Sequence, residues 1–284
     1  MTKDHLSPPS LAVEISGAGF PILCLHGHPG SGQCMGIFTH FLSKNYKTLS
    51  PDLRGYGQSQ THAAFTMEDH LQDLVLLLDQ NHIQTCLILG WSLGGILAME
   101  LAVRYPERVS GLILVATAAY PRSNHPPITW QDNLFTGLAG IINWLRPGWR
   151  WNINLLGKRS LFRYLMVQQT PQAYEYLARY AVPAFIRTSK YAQAALNQAL
   201  RQGYNQEEQL KKIQCPCLVL AGAQDRHITP ASSQTTAELI PSSEWICYEQ
   251  TAHLLPWEIP EQIERDLQIW LKKNPRATLN SVGD

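Results

Sequence analysis

Four short apolar runs recur along the chain, each bounded by turn residues: PILCLHG (21–27), TCLILG (85–90), VSGLILVA (109–116) and CLVLAG (Cys217–Gly222). None alternates with polar residues, which is the pattern of a strand covered on both faces, as in a parallel sheet. Weaker strand patterns lie at LAVEIS (11–16), KTLSP (Lys47–Pro51) and EWICYE (244–249). Between these runs, apolar positions fall at helical spacing over Gly36–Leu42, 67–81, 93–105, Pro230–Leu239 and 260–272. The alternation of strand and helix patterns predicts an α/β fold.

The rhythm breaks between about residues 120 and 206, where helix-like segments and prolines (Pro126, Pro127, Pro147, Pro171, Pro183) appear without a buried strand. This predicts a core domain made of residues 1–119 and 207–284, interrupted by a helical cap over 120–206. The cap stretch carries four of the eight tryptophans (Trp130, Trp144, Trp149, Trp151) and seven of the eleven tyrosines. Two readings stand side by side: a lid over an apolar ligand, or aromatics needed by a small helical core of its own.

Charge adds an asymmetry. The whole chain is +1, with 23 Lys+Arg against 22 Asp+Glu, so no global field points to nucleic acid as a partner. Residues 120–206 nevertheless hold ten basic side chains against Asp132 and Glu175, which makes the cap +8 and the remainder −7. Such a face suits an anionic substrate or peripheral contact with an acidic membrane surface; it also fits a merely solvated helical surface. The six cysteines fall mostly in strand-like runs and read as free core thiols. Cys215-Pro-Cys217 lacks a second Cys/His pair at zinc-site spacing, so no metal is expected. The opening MTKDHLSPPS has neither the basic start nor the apolar stretch of a signal peptide, and no run reaches the ~18 apolar residues of a membrane span. A cytoplasmic protein without a transmembrane segment is expected.

Candidate chemistry concentrates at one corner. Gly90-Trp91-Ser92-Leu93-Gly94 fits G-x-S-x-G between an apolar strand and a helix, the context in which a turn exposes a nucleophilic oxygen. The N-terminus of the following helix directs unpaired N–H groups toward negative charge developing at Ser92. A serine hydroxyl needs a base, and the base an orienting acid. Asp225, in LVLAGAQDRHITP, and His253, in YEQTAHLLPWE, both follow predicted strands and stand in the order serine, acid, histidine. His227 competes with His253 but sits only two residues past Asp225. Backbone N–H groups of His28, in HGHPGS, and of Leu93 are the candidate oxyanion donors.

With these residues in place, the chain resembles the α/β-hydrolase superfamily: HGHPGS, PDLRGYGQS, GWSLGG, GAQD and TAHLLPWEIPE appear in that family's order over residues 11–273. The resemblance implies a mostly parallel eight-stranded sheet, its first strand shortened here, with the helical cap inserted after the sixth strand. It implies Ser92 as nucleophile, Asp225 as acid, His253 as base, and His28 with Leu93 as oxyanion donors, without cofactor. Arg54 takes the position of a loop organiser. HGHPGS and Trp91 resemble epoxide hydrolases and haloalkane dehalogenases, which carry aspartate where this chain has Ser92. A serine there implies an esterase-like, haloperoxidase-like or carbon–carbon hydrolase relative. The expected substrate is a small to medium apolar acyl compound met by Trp91, Trp144 and Trp149. A carboxylate-bearing substrate cleaved at a carbon–carbon bond is the alternative, and a non-catalytic ligand-binding protein is the third reading.

Overall fold

A computed structural model describes residues 10–278. The expectations drawn from MTKDHLSPPS therefore lie outside the described residues, apart from Ser10. Seven strands form one sheet: β1 (Val13–Ser16), β2 (Pro21–Leu25), β3 (Lys47–Pro51), β4 (Cys86–Trp91), β5 (Val109–Val115), β6 (Cys217–Gly222) and β7 (Ser243–Tyr248). Their order is β1-β3-β2-β4-β5-β6-β7, parallel throughout except that β1 runs antiparallel to β3 at one edge. The expectation of eight strands is corrected to seven among the described residues. β1 pairs only with β3 and begins the sheet, and among the described residues the helical insertion follows the fifth strand in chain order, where the sixth was expected.

The apolar runs alternate between two cores, as period-2 strands must. Leu23, Leu25, Ile88, Leu112, Leu114 and Val219 pack on one face, against α2 (Met67–Gln80), α3 (Leu93–Arg104) and α10 (Pro230–Leu239). Ile22, Cys24, Leu87, Leu89, Ile113 and Leu220 pack on the other, with α1 (Gly36–Leu42) and α12 (Pro260–Lys273). Both faces are buried, which is why these strands read as continuous apolar runs. Cys24, Cys86 and Cys217 are buried strand thiols and Cys34 is buried just before α1, whereas Cys215, ahead of β6, is half-buried and Cys247, on the edge strand β7, is exposed.

Between β5 and β6 the chain forms α4 (Trp130–Leu145), α5 (Arg150–Leu155), α6 (Phe162–Leu165), α7 (Pro171–Tyr176), α8 (Val182–Ile186) and α9 (Lys190–Arg201), with no strand. Thr129 caps α4: its side chain accepts from Asp132 N–H while the Asp132 carboxylate accepts from Thr129 N–H, at 3.2 and 2.8 Å. Pro147, two residues past the end of α4, cannot continue the helix. α11 (Leu255–Glu258) is a single turn that leads from the β7 loop into α12. Among the described residues, no helix is long and apolar enough to cross a membrane.

Two glycines on helices make opposite demands. A Cβ on Gly94 would overlap the carbonyl oxygen of Leu25, whereas a Cβ on Gly140 would meet nothing within 4 Å. Gly140→Ala is therefore expected to stabilise the protein by up to about 1 kcal/mol through helix propensity. Gly94→Ala is expected to lower the melting temperature, because β2 and α3 would have to separate. Thermal melts of the two variants beside the parent chain check both signs.

Candidate active site

The G-x-S-x-G stretch is built as a collision-limited turn. Ser92 has φ +53° and ψ −114°, a region that side-chain-bearing residues rarely occupy and that costs of order 1–3 kcal/mol. Its neighbours hold it there. Ser92 N–H donates to Val115 O at 2.9 Å, and the Ser92 carbonyl accepts from Thr117 Oγ1 at 2.8 Å and from Gly95 N–H at 2.9 Å. Gly90 is required because a Cβ there would run into the backbone of Gly94 and Gly95. The turn thus exposes the hydroxyl at the carboxyl end of β4 while α3 starts at Leu93.

Asp225 and His253 arrive on the loops after β6 and β7, at the same sheet edge. His253 Nε2 lies 3.1 Å from Ser92 Oγ, and His253 Nδ1 lies 2.8 Å from Asp225 Oδ2. Asp225 is itself fixed, since Oδ1 accepts from His227 N–H at 2.8 Å and Ile228 N–H at 3.0 Å. A carboxylate on Nδ1 keeps the proton on that nitrogen and leaves the Nε2 lone pair for the serine hydroxyl. All three side chains are buried; Ser92 is 7% exposed and His253 5%. The sequence-predicted trio is brought together.

The two predicted N–H donors also converge. Leu93 is the first residue of α3, so its N–H has no acceptor within the helix. A Cβ built on Gly27 would stand 3.0 Å from Ser92 Cβ and 3.7 Å from its Oγ, which puts the Gly27–His28 backbone directly beside the hydroxyl. Among the described residues the His28 N–H has no acceptor. The His28 ring is engaged elsewhere: Tyr56 O–H donates to Nδ1 at 2.8 Å, and Nε2 donates to Gln193 Oε1 of α9 at 2.9 Å.

The three tryptophans expected at the substrate are placed differently. Trp91 faces the core rather than a pocket; it packs edge-on to Phe38 and Trp257, and its Nε1 donates to the His253 carbonyl at 3.2 Å. Strand alternation explains this, because Trp91 shares the face of Leu87 and Leu89. Trp144 is 58% exposed on the outer side of α4. Trp149 stacks on Trp151 at 5.0 Å, under the guanidinium of Arg146. Arg54 meets its expectation as an organiser, with Nε and Nη2 on Asp73 at 2.7 and 2.5 Å.

Glu258 escaped the sequence reading. Its buried carboxylate accepts from Ala252 N–H at 2.7 Å with one oxygen and from Val167 and Gln168 N–H, both 2.7 Å, with the other. It thereby ties the loop bearing His253 to the helical insertion, beside a backbone bond from Leu254 N–H to Leu165 O at 2.9 Å. Burial pushes its carboxyl above the ordinary range, while the three N–H donors pull the other way. The signal in the sequence was an acid inside the otherwise apolar LLPWEIP. His227, the competitor of His253, is exposed and packs its ring edge-on to that of His253, with centroids 4.6 Å apart.

A sequence model of the alpha/beta hydrolase fold matches residues 21–260. The 2-hydroxymuconate semialdehyde hydrolase of Pseudomonas putida is 28% identical over 267 residues, covering 90% of this chain and 88% of that protein. The pimeloyl-(acyl-carrier protein) methyl ester esterase of Aeromonas salmonicida is 26% identical over 257 residues, covering 86% and 92%. Among solved structures, a thermophilic esterase from Thermogutta terrifontis superposes with a TM-score of 0.67 at 26% identity, covering 95% of this chain and 94% of its own.

Two stability tests follow from the groups around the site. Glu258→Gln turns an NH2 group toward backbone donors and is expected to cost about 1–3 kcal/mol in urea unfolding. Burial lowers His26 to about 4 and His70 to about 3. The His26 ring must also stay neutral to accept from Leu53 N–H through Nε2, at 3.1 Å. Both folded-state values lie below the unfolded value near 6.5, so the unfolded chain binds more protons in between. Stability is thus expected to fall as pH drops from about 6.5 toward 4, by up to about 1.4 kcal/mol per pH unit for each histidine. His70→Phe should flatten that slope in urea titrations, and an unchanged slope rejects the assignment.

Proposed function

The chain belongs to the α/β-hydrolase family, and on that premise we propose that it is a serine hydrolase that cleaves a small to medium, largely apolar carboxylic ester through an acyl-enzyme on Ser92. The observation that carries the reading is the aligned contact of Ser92 Oγ, His253 and Asp225, at 3.1 and 2.8 Å. Ser92 Oγ attacks the ester carbonyl carbon while His253 Nε2 takes the hydroxyl proton. Asp225 orients the imidazole and stabilises its transient positive charge. The carbonyl oxygen, now anionic, is met by the N–H groups of His28 and Leu93. As the carbon–oxygen bond breaks, His253 returns the proton to the departing alcohol. Water, deprotonated by His253, then attacks the acyl carbon and releases the acid and the free serine.

The helical insertion acts as a lid in this reading. What supports it is its grip on two site loops: α9 reaches His28 through Gln193, and the segment after α6 reaches the His253 loop through Glu258. Trp144 then belongs to the lid's outer side rather than to the acyl pocket.

A second reading keeps the same residues but breaks a carbon–carbon bond next to a ketone in a carboxylate-bearing substrate. The likeness to the 2-hydroxymuconate semialdehyde hydrolase and the +8 charge of residues 120–206 favour it. Neutral aryl esters and anionic diketones, assayed side by side, separate the two. Ester turnover that is indifferent to replacement of insertion arginines supports the first.

Ser92→Ala is expected to lower ester turnover by at least about 10⁴-fold and to abolish labelling by an organophosphonate probe. Retention of both activities by the variant rejects a Ser92 acyl-enzyme.

A further inference from the structure

Helix α4 is inside out. Its inward side is the polar one. Asp132, buried, accepts from Arg163 Nη2 at 2.6 Å; Thr136 Oγ1 accepts from Leu161 N–H at 2.9 Å; and Asn143, buried, donates to Tyr174 O at 2.6 Å. Asn152 of α5 adds a bond to Ala139 O at 2.9 Å. Positions 132, 136, 139 and 143 share one side of a helix, so α4 is docked onto the molecule by hydrogen bonds along that side.

The opposite side faces outward and is apolar. Trp130 (72% exposed), Leu134 (48%), Leu138 (42%), Ile141 (59%) and Leu145 (72%) follow one another at i, i+4, i+8, i+11 and i+15. Sixteen residues make this ridge about 24 Å long. A contiguous apolar surface of that kind is uncommon on a soluble chain and marks a contact site. It does not belong to the Ser92 site, since its side chains point away from the packed side of the helix.

The rim identifies the partner. Arg146 and Arg150 flank the C-terminal end of the ridge in sequence, both exposed, and neither is ion-paired among the described residues. The one acid of α4 is already neutralised by Arg163. Pairing this face with its equivalent on a second copy would offer these arginines no free anion, since the one acid of α4 is already engaged. An anionic lipid surface satisfies both parts: acyl chains take the leucines and Ile141, and headgroup phosphates take the two arginines. Indole rings sit naturally at such an interface, and Trp130 and Trp144 are exposed on α4, with Trp151, half exposed, just past its C-terminal end. We propose that the outer face of α4, with the basic residues at its C-terminal end, docks the protein peripherally on anionic phospholipid bilayers.

The test is co-sedimentation of the full chain with vesicles of phosphatidylcholine alone and of phosphatidylcholine mixed with phosphatidylglycerol. Binding is expected to the mixed vesicles and to weaken several-fold when salt is raised, because the rim charges are exposed. The triple variant Leu134→Gln/Ile141→Gln/Leu145→Gln is expected to lose at least about tenfold in partitioning, with an unchanged circular dichroism spectrum, since its side chains are already in solvent. The double variant Arg146→Gln/Arg150→Gln is expected to lose the preference for the anionic vesicles. No binding to the mixed vesicles, equal binding to both kinds, or binding untouched by the triple variant overturns the proposal. So does a dimer in analytical ultracentrifugation that the triple variant dissolves, which would assign the face to a second copy.

Discussion

The arrangement depends on one strained residue. Ser92 is held at φ +53° by three backbone constraints: the β4–β5 ladder through Val115, the Thr117 hydroxyl, and the first turn of α3. Remove any Cβ-free position around it and the turn cannot close, because Gly90 and Gly94 sit where backbone meets backbone. The strain is affordable only because the sheet on either side is buried on both faces and does not yield. From that fixed corner the hydroxyl projects toward the loops after β6 and β7, and the N-terminus of α3 points its free N–H at the same spot.

The partners of Ser92 are held less by the sheet than by polar clasps between loops. Asp225 is locked by two N–H groups of its own turn, and His253 by Asp225 on one side and a loop tied to Glu258 on the other. Glu258 spans the boundary between the core and the insertion, accepting from both. Gln193 does the same across the site, on His28. A displacement of the insertion would therefore be felt at His253 and at the His28 loop together. This is how a segment far from the serine in sequence can influence the chemistry of a hydrolase without supplying a reacting group.

The insertion also reverses the usual division of labour between polar and apolar surface. Its longest helix uses Asp132, Thr136 and Asn143 to attach and leaves Trp130, Leu134, Ile141 and Leu145 outside. Composition alone cannot tell this from an ordinary amphipathic helix, since the same residues turned about the axis would make an apolar core and a polar surface. The aromatic richness of residues 120–206 is compatible with a lid core and with a ligand-facing lid; the structure splits it, with Trp130, Trp144 and Trp151 toward solvent and all seven tyrosines buried or half-buried.

The central strands, the helices between them and the trio Ser92, Asp225 and His253 were legible in the sequence, because buried parallel strands are continuous apolar runs, and because Ser92 and Asp225 follow such runs while His253 follows the weaker edge strand β7. Residue pattern alone marks seven strands; the eighth came from resemblance, and the described chain does not contain it. Trp91 was misplaced because G-x-S-x-G carries no information about which sheet face its second residue occupies, whereas strand alternation decides it. Glu258 and Gln193 were invisible because their partners lie 91 and 165 residues away at Val167 and His28. A hydrogen bond between distant loops leaves no periodicity in the chain. What the sequence determined was every feature set by local pattern, namely strand, helix, turn and the order of the reacting groups. Which side of each element meets its neighbours was decided only by the tertiary structure, since that choice depends on atoms the chain brings together after it has folded.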